Sequence, residues 1–128
     1  MSVFCFDNNL SPRLVQILKI LRHQGVIHVR AHHRTDPGDA TMIDRAASEG
    51  WILVTADTRM RSHPATAAAF QQRRITALFV GGSILHKDLH EQAVWFVRHW
   101  EEVAAELPQA PQGSIFESRV NRTLARID

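Results

Sequence analysis

The chain has 128 residues, 45% hydrophobic and 22% charged, with 15 Lys and Arg against 13 Asp and Glu for a formal charge of +2. That length is enough for one domain with a sizeable core and short for two. No apolar stretch reaches the roughly 20 residues a membrane span requires, and a single cysteine, Cys5, excludes an internal disulfide. Cys5 lies inside an apolar run and is expected to be a buried free thiol. The first residues carry no basic region followed by an apolar stretch and a small-residue cleavage site, so the expected compartment is the cytoplasm. Lysine occurs only at Lys19 and Lys87, which leaves the cationic surface almost all arginine. The planar guanidinium fork pairs bidentately with phosphate and modestly favours a nucleic-acid partner; solvated helix faces account for the arginines equally well.

Taken in chain order, the pattern begins with the apolar run Val3-Phe4-Cys5-Phe6, a short buried strand that ends at Asp7. Ser11 followed by Pro12 is an N-cap with proline at the first helical position, and Leu14, Val15, Leu18 and Leu21 repeat at helical spacing to about His23, with Gly25 as the stop. A second strand is expected from Val26 to Val29, then a polar loop from Ala31 to Gly38. Asp39 opens the next helix, whose stripe is Met42, Ile43, Ala46 and Ala47, and Gly50 ends it before the strand Trp51 to Thr55. A helix follows Pro64 as far as Gln72, a strand runs from Ile75 to Val80, and Gly81-Gly82-Ser83 turns out of it. The longest helix is expected over Asp88 to Glu106, with Leu89, Ala93, Phe96, Val97, Trp100 and Val103 on one face. Trp51, Trp95 and Trp100 are read as core residues rather than stacking platforms. Strand and helix alternate, which predicts a three-layer α/β/α sandwich around a mostly parallel sheet. Leu107 to Gly113 breaks the composition. The remainder, with Arg119, Arg122 and Arg126, is read as an edge strand formed near Ser114-Ile115-Phe116 or as a basic arm.

Three acids carry the chemistry. Asp7 and Asp57 follow the first and third strands and Asp39 opens a helix, and residues beyond the carboxyl ends of parallel strands converge on one crevice. A hard cation such as Mg²⁺ or Mn²⁺ takes carboxylate oxygens there, and phosphodiester cleavage is the chemistry most available. Asp7 is the principal expected ligand, since Ser11 already supplies the helix cap. Asp39 has a complete alternative explanation as a cap, and Asp57 as a turn residue, although Thr55 and Asp57 face one edge. The histidines, His32, His33 and His63 among them, match no structural zinc spacing.

Phe6-Asp7-Asn8-Asn9-Leu10-Ser11-Pro12-Arg13, then Asp39 before Met42-Ile43, then Val54-Thr55-Ala56-Asp57 with Arg59, Arg61 and Pro64, resembles the short PIN-like proteins, in order over residues 3 to 80. The resemblance implies a PIN-like domain over 1–106 with an extension over 107–128. It also implies an Mg²⁺- or Mn²⁺-dependent ribonuclease, the toxin of a type II toxin-antitoxin pair, with RNA, a cognate antitoxin and a second copy of the chain as partners. On that reading Asp7, Asp39 and Asp57 are catalytic and metal-binding, Asn8, Asn9, Thr55 and Asp36 support them, and Arg13, Arg59 and Arg61 bind RNA phosphates. Full PIN domains carry a fourth acid close after the third, and Arg59 stands where it would be. Asp36 or Asp44 compensates, or Arg59 or Arg61 pairs with Asp57 or Asp39 and fills the metal position. That departure keeps a second reading open, a noncatalytic PIN-like domain that binds RNA or protein. The chain also resembles a receiver-like phosphoacceptor domain at Asp57. Against that, Asp7 is followed by Asn8-Asn9 rather than by a second acid, and residues 108 to 128 hold no lysine.

Overall fold

The computed structural model describes residues 2–31, 39–119 and 122–127, with Asp39 described in its backbone only. His32, His33 and Asp36 therefore lie outside the described residues. The strands are β1 (Phe4–Phe6), β2 (Val26–His28), β3 (Ile52–Thr55), β4 (Ala77–Val80), β5 (Ile115–Arg119) and β6 (Arg122–Arg126). The helices are α1 (Pro12–Ile20), α2 (Asp39–Glu49), α3 (Arg59–Ser62), α4 (Pro64–Arg73), α5 (Gly82–Leu85) and α6 (Leu89–Glu106). One sheet has the order β2-β1-β3-β4-β5-β6, parallel throughout except for the antiparallel last pair. The fold is α/β with a mostly parallel central sheet, as the alternation of elements predicts.

Side chains alternate across a strand, and here the alternation builds two cores. Phe4, Phe6, Ile52, Val54, Leu78 and Val80 face α1 and α6, whereas Cys5, Leu53, Ala77 and Phe79 face α2 and α4. All three layers of the sandwich are thus present. The first core is aromatic: Trp100 stands 5.0 Å from Phe4 and 5.5 Å from Phe6, ring centre to ring centre.

Several boundaries differ from the sequence expectation, each for a local reason. The first helix stops at Ile20 rather than near His23, and Arg22, in the left-handed conformation at φ 68°, closes it three residues before Gly25, which is left-handed as well at φ 71°. His23 N–H donates to Leu18 O and Arg22 N–H to Lys19 O, the paired closing bonds of a Schellman end. Arg74 ends α4 in the same way at φ 54°. The second strand is one residue shorter, because Val29 to Ala31 form a 3-10 turn. Trp51 precedes β3 and is buried beneath the Arg45 guanidinium, 5.3 Å from its ring. The fourth strand begins at Ala77, two residues later than expected.

Residues 59–62 and 82–85, where the pattern marks no helix, each make one helical turn. On α6, Phe96, Trp100 and Val103 are buried as expected, but Val97 is 40% exposed and Trp95 is half-buried. Asp88 caps that helix by accepting from Glu91 N–H at 2.8 Å. Gly81 sits where a Cβ would come within 2.5 Å of the Ser118 carbonyl oxygen, which lets β5 close on the end of β4. Among the described residues no helix is long and apolar enough to cross a membrane.

Candidate active site at the carboxyl edge of the sheet

With β1 between β2 and β3, α1 leaves toward one face of the sheet and α2 returns on the other. The loops after β1 and β3 therefore diverge, and the crevice between them is where open α/β sheets bind ligands. Register then fixes which side chains meet. Phe6 pairs with Val54, so the next residues, Asp7 and Thr55, lie side by side on the α2 face. Thr55 Oγ1–H donates to Asp7 Oδ2 at 2.7 Å, and the same hydroxyl oxygen accepts from Asp57 N–H at 3.1 Å. One buried hydroxyl thus joins the acid after β1 to the backbone of the acid after β3. Asp7 Oδ1 also accepts from Asn8 N–H at 2.7 Å, and Asp7 is only 7% exposed.

The two asparagines tie the loops together. Asn9 Oδ1 accepts from Ala56 N–H at 3.1 Å, and Asn8 Oδ1 accepts from Arg30 Nε–H. Asp57 is held differently. Its Oδ1 accepts from Arg59 N–H at 3.0 Å and from Arg59 Nε–H at 3.1 Å, while Oδ2 accepts from Nη2 at 3.4 Å. The arginine side chain is 89% exposed. Exposed pairs of this kind contribute about 0–1 kcal/mol, so a phosphate or a cation displaces this one at little cost. Asp57, Arg59, His63 and Thr66 border an open recess of about 330 Å³.

The remaining expected site residues separate. Asp39 begins α2 at this edge, on the face toward which Asp7 and Thr55 point, while its side chain lies outside the described residues. Arg13 is exposed in the first turn of α1 at the same edge. Arg61 turns away from the crevice, pairs with Glu117 of β5 at 2.9 Å and lies over the Phe79 ring at 5.4 Å. Asp44 pairs with Arg73 on the surface and takes no part. Another recess, of about 490 Å³, is lined by Phe70, Phe79 and Ile115 between α4 and β5 and has no carboxylate in its lining. Volume alone does not locate the chemistry here, and the crevice with the acids is the better candidate.

His28 is a neighbour whose only signal in the sequence is one polar residue in an apolar run. Its Nε2–H donates to Leu10 O at 2.6 Å and its Nδ1 accepts from Arg30 N–H at 3.2 Å, which fixes a neutral tautomer. Burial pushes its pKa below the ordinary 6.5, against the Leu10 carbonyl, which raises it. Because the folded value is the lower one, the unfolded chain takes the proton first. Stability is therefore complete above about pH 6.5 and is lost as pH falls through that value toward the folded pKa. Thermal unfolding between about pH 7.5 and pH 5 is expected to show the midpoint falling in that window, with a flatter dependence in His28→Gln. Cys5, on the same face, has its thiol pushed up to about 12 by burial and then by the Asp7 charge, and is no nucleophile.

The described donors, the Asp7 and Asp57 carboxylates with the Thr55 hydroxyl and the Asn8 and Asn9 amides, are all hard oxygens. That chemistry fits Mg²⁺ or Mn²⁺, which is held by one or two carboxylates while keeping several waters. Among the described residues no three carboxylate, imidazole or thiol groups form a metal cage. No curated protein and no solved structure gives a match to the chain. A family model described as a PIN like domain matches residues 1–82, from the first strand through the end of β4 and so across Asp7, Asp39 and Asp57. With more than half its length in that match and its acids gathered at the edge of a mostly parallel sheet, the chain belongs to the PIN-like domain family.

Proposed function

We propose that this chain is an Mg²⁺- or Mn²⁺-dependent endoribonuclease that hydrolyses RNA phosphodiester bonds, acting as the toxin of a toxin-antitoxin pair with a cognate antitoxin as its partner. The observation that carries the reading is the Asp7–Thr55–Asp57 linkage at the carboxyl edge, since it holds one carboxylate buried and oriented and the other at the surface of the crevice. Asp7 and Asp57, with Asp39, would hold the ion, and Asn8 and Asn9 set the loops that carry the first two acids. When bound, the ion supplies positive charge to a nonbridging phosphate oxygen and lowers the pKa of a water.

The protein's own part is positional. Thr55 fixes the Asp7 carboxylate by donating to it, so no rotamer is lost when substrate arrives. Asp57 accepts a proton from the attacking water as that water's oxygen joins phosphorus. The ester bond on the opposite side breaks, and the departing oxygen takes a proton from solvent. Arg59 and Arg13 lie at the same edge to pair with phosphate oxygens.

A second reading, a noncatalytic PIN-like domain that binds RNA or protein, draws on one observation, the two-point grip of Arg59 on Asp57. The two readings part on one assay. Purified protein is incubated with single-stranded and structured RNA, with Mg²⁺, with Mn²⁺ or with a chelator, beside Arg59→Asp. The nuclease reading expects metal-dependent cleavage by the wild type. It also expects half-maximal activity at about tenfold lower metal in Arg59→Asp, since a cation at Asp57 is exchanged for a carboxylate. Inertness of both proteins at every metal concentration sinks the nuclease and leaves the binding reading.

A further inference from the structure

The C-terminal hairpin and α6 form a second basic feature, outside the residues that the family match covers. Lys87, Trp95, Arg98, His99, Arg119 and Arg122 line an open groove of about 460 Å³, and no acid is among its lining residues. Two of its four cations are partly engaged: Lys87 lies 3.4 Å from Glu91, and Arg119 lies 3.1 Å from Glu117. Arg98 and Arg122, both exposed, have no ion-pair partner among the described residues. Trp95 is half-buried and packs 4.9 Å from the His99 ring, so two adjoining aromatic side chains lie beside four cations. Cations that track a backbone, next to rings on which bases stack, are the two parts of a single-strand nucleic-acid site.

The topology joins this groove to the acids. β5 runs parallel to β4, so Arg119 ends it at the carboxyl edge, and Arg122 opens β6 directly opposite. Asp7 follows β1 at that same edge. Along the edge, β1 and β5 stand three spacings of about 4.8 Å apart, or roughly 14 Å; the groove opens on the α6 side of the sheet and Asp7 on the α2 side, so a strand joining them passes over that edge. A few nucleotides span that distance.

We infer that the α6 and β5–β6 groove binds the phosphates of single-stranded RNA, stacks a base on Trp95, and holds the strand so that a neighbouring phosphodiester reaches the crevice of Asp7 and Asp57. The inference rests on the nuclease reading for the identity of the strand. Unpaired bases are required because paired ones do not present a face to Trp95, so a duplex binds less well.

Binding is tested apart from cleavage, by fluorescence anisotropy of a labelled single-stranded RNA in chelator. Arg98→Glu/Arg122→Glu is expected to lose at least tenfold in affinity, with the slope of log affinity against log salt shallower by about 1.4, two phosphate contacts at about 0.7 each. Lys19→Glu/Arg73→Glu changes the charge equally at the opposite edge of the sheet and is expected to bind within about twofold of wild type. Trp95→Ala is expected to weaken binding several-fold with no change in slope, because stacking releases no counterion. Wild-type affinity and slope in Arg98→Glu/Arg122→Glu overturn the proposal. So does equal loss in both double variants, which is a net-charge effect, or competition by polyglutamate as effective as unlabelled RNA, which makes the occupant an acidic protein. If the wild type cleaves nothing while binding still depends on Arg98 and Arg122, the groove stands and the nuclease reading falls. If it cleaves and the double variant binds as wild type, only the groove falls.

Discussion

Asp7→Asn is expected to lower the rate of RNA cleavage by more than about 10²-fold, beyond the roughly 10–100-fold lost when a group that only supports a metal ligand is removed, while the protein stays folded. The two expectations follow from different atoms. Both Asp7 oxygens are acceptors, Oδ1 for Asn8 N–H and Oδ2 for the Thr55 hydroxyl. An amide keeps one oxygen for Asn8 and turns its NH₂ toward Thr55, whose oxygen can accept because a hydroxyl offers two lone pairs. The hydrogen-bond change then costs on the order of 1 kcal/mol, well inside the stability of a small domain. What the amide cannot supply is the negative charge that holds a hard cation. Thr55→Val separates position from charge, since it keeps the carboxylate and removes the donor that aims it; an intermediate loss of activity is expected. Rates measured at saturating metal, beside melting temperatures, check both. Full cleavage by Asp7→Asn with unchanged metal dependence would remove Asp7 from the site.

The parallel core was readable in the sequence because apolar runs of three to five residues, separated by capped helices, leave few alternatives to a sheet covered on both faces. The Asp7–Thr55 contact was half readable. The position of each residue at a strand end could be seen, but their bond depends on the pairing of Phe6 with Val54, and register is a long-range fact. Arg59 and Arg61 show the same limit. Two residues apart on one short helix, they pair with Asp57 and with Glu117 on β5, and nothing local distinguishes them. Arg22 and Arg74 hid two helix ends, because the usual signal there is glycine and these arginines take the left-handed conformation instead. Trp95 and Trp100 both read as core residues of an apolar helix, although only Trp100 lies on its apolar repeat. Only the packing of α6 on the sheet buries Trp100 and leaves Trp95 partly open over the basic groove.

That difference within α6 predicts the largest effect on stability. Trp100 is 1% exposed and meets Phe4 edge-on at 5.0 Å, Phe6 at 5.5 Å and Phe96 at 6.3 Å. Phe4 and Phe6 belong to the strand that ends at Asp7, so the same ring cluster supports the floor of the crevice. Trp100→Ala leaves a cavity that close-packed neighbours fill only in part, and costs about 3–5 kcal/mol. Against the roughly 5–15 kcal/mol by which domains are stable, that is a large fraction, and the melting temperature is expected to fall by roughly 10–20 °C. Trp100→Phe keeps one ring in the cluster and is expected to lose less than half as much. Val97→Ala, one helical turn earlier at a position 40% exposed, is expected to change stability by under about 0.5 kcal/mol. Thermal melts of the three variants order them, and the ordering also bears on the site. With β1 loosened, Trp100→Ala is expected to lose cleavage at temperatures below its own unfolding midpoint, because Asp7 must be held within a fraction of an ångström of its place to act. Parallel loss of activity and fold at a single temperature would mean that β1 and α6 give way only together, and that the crevice has no separate dependence on the ring cluster.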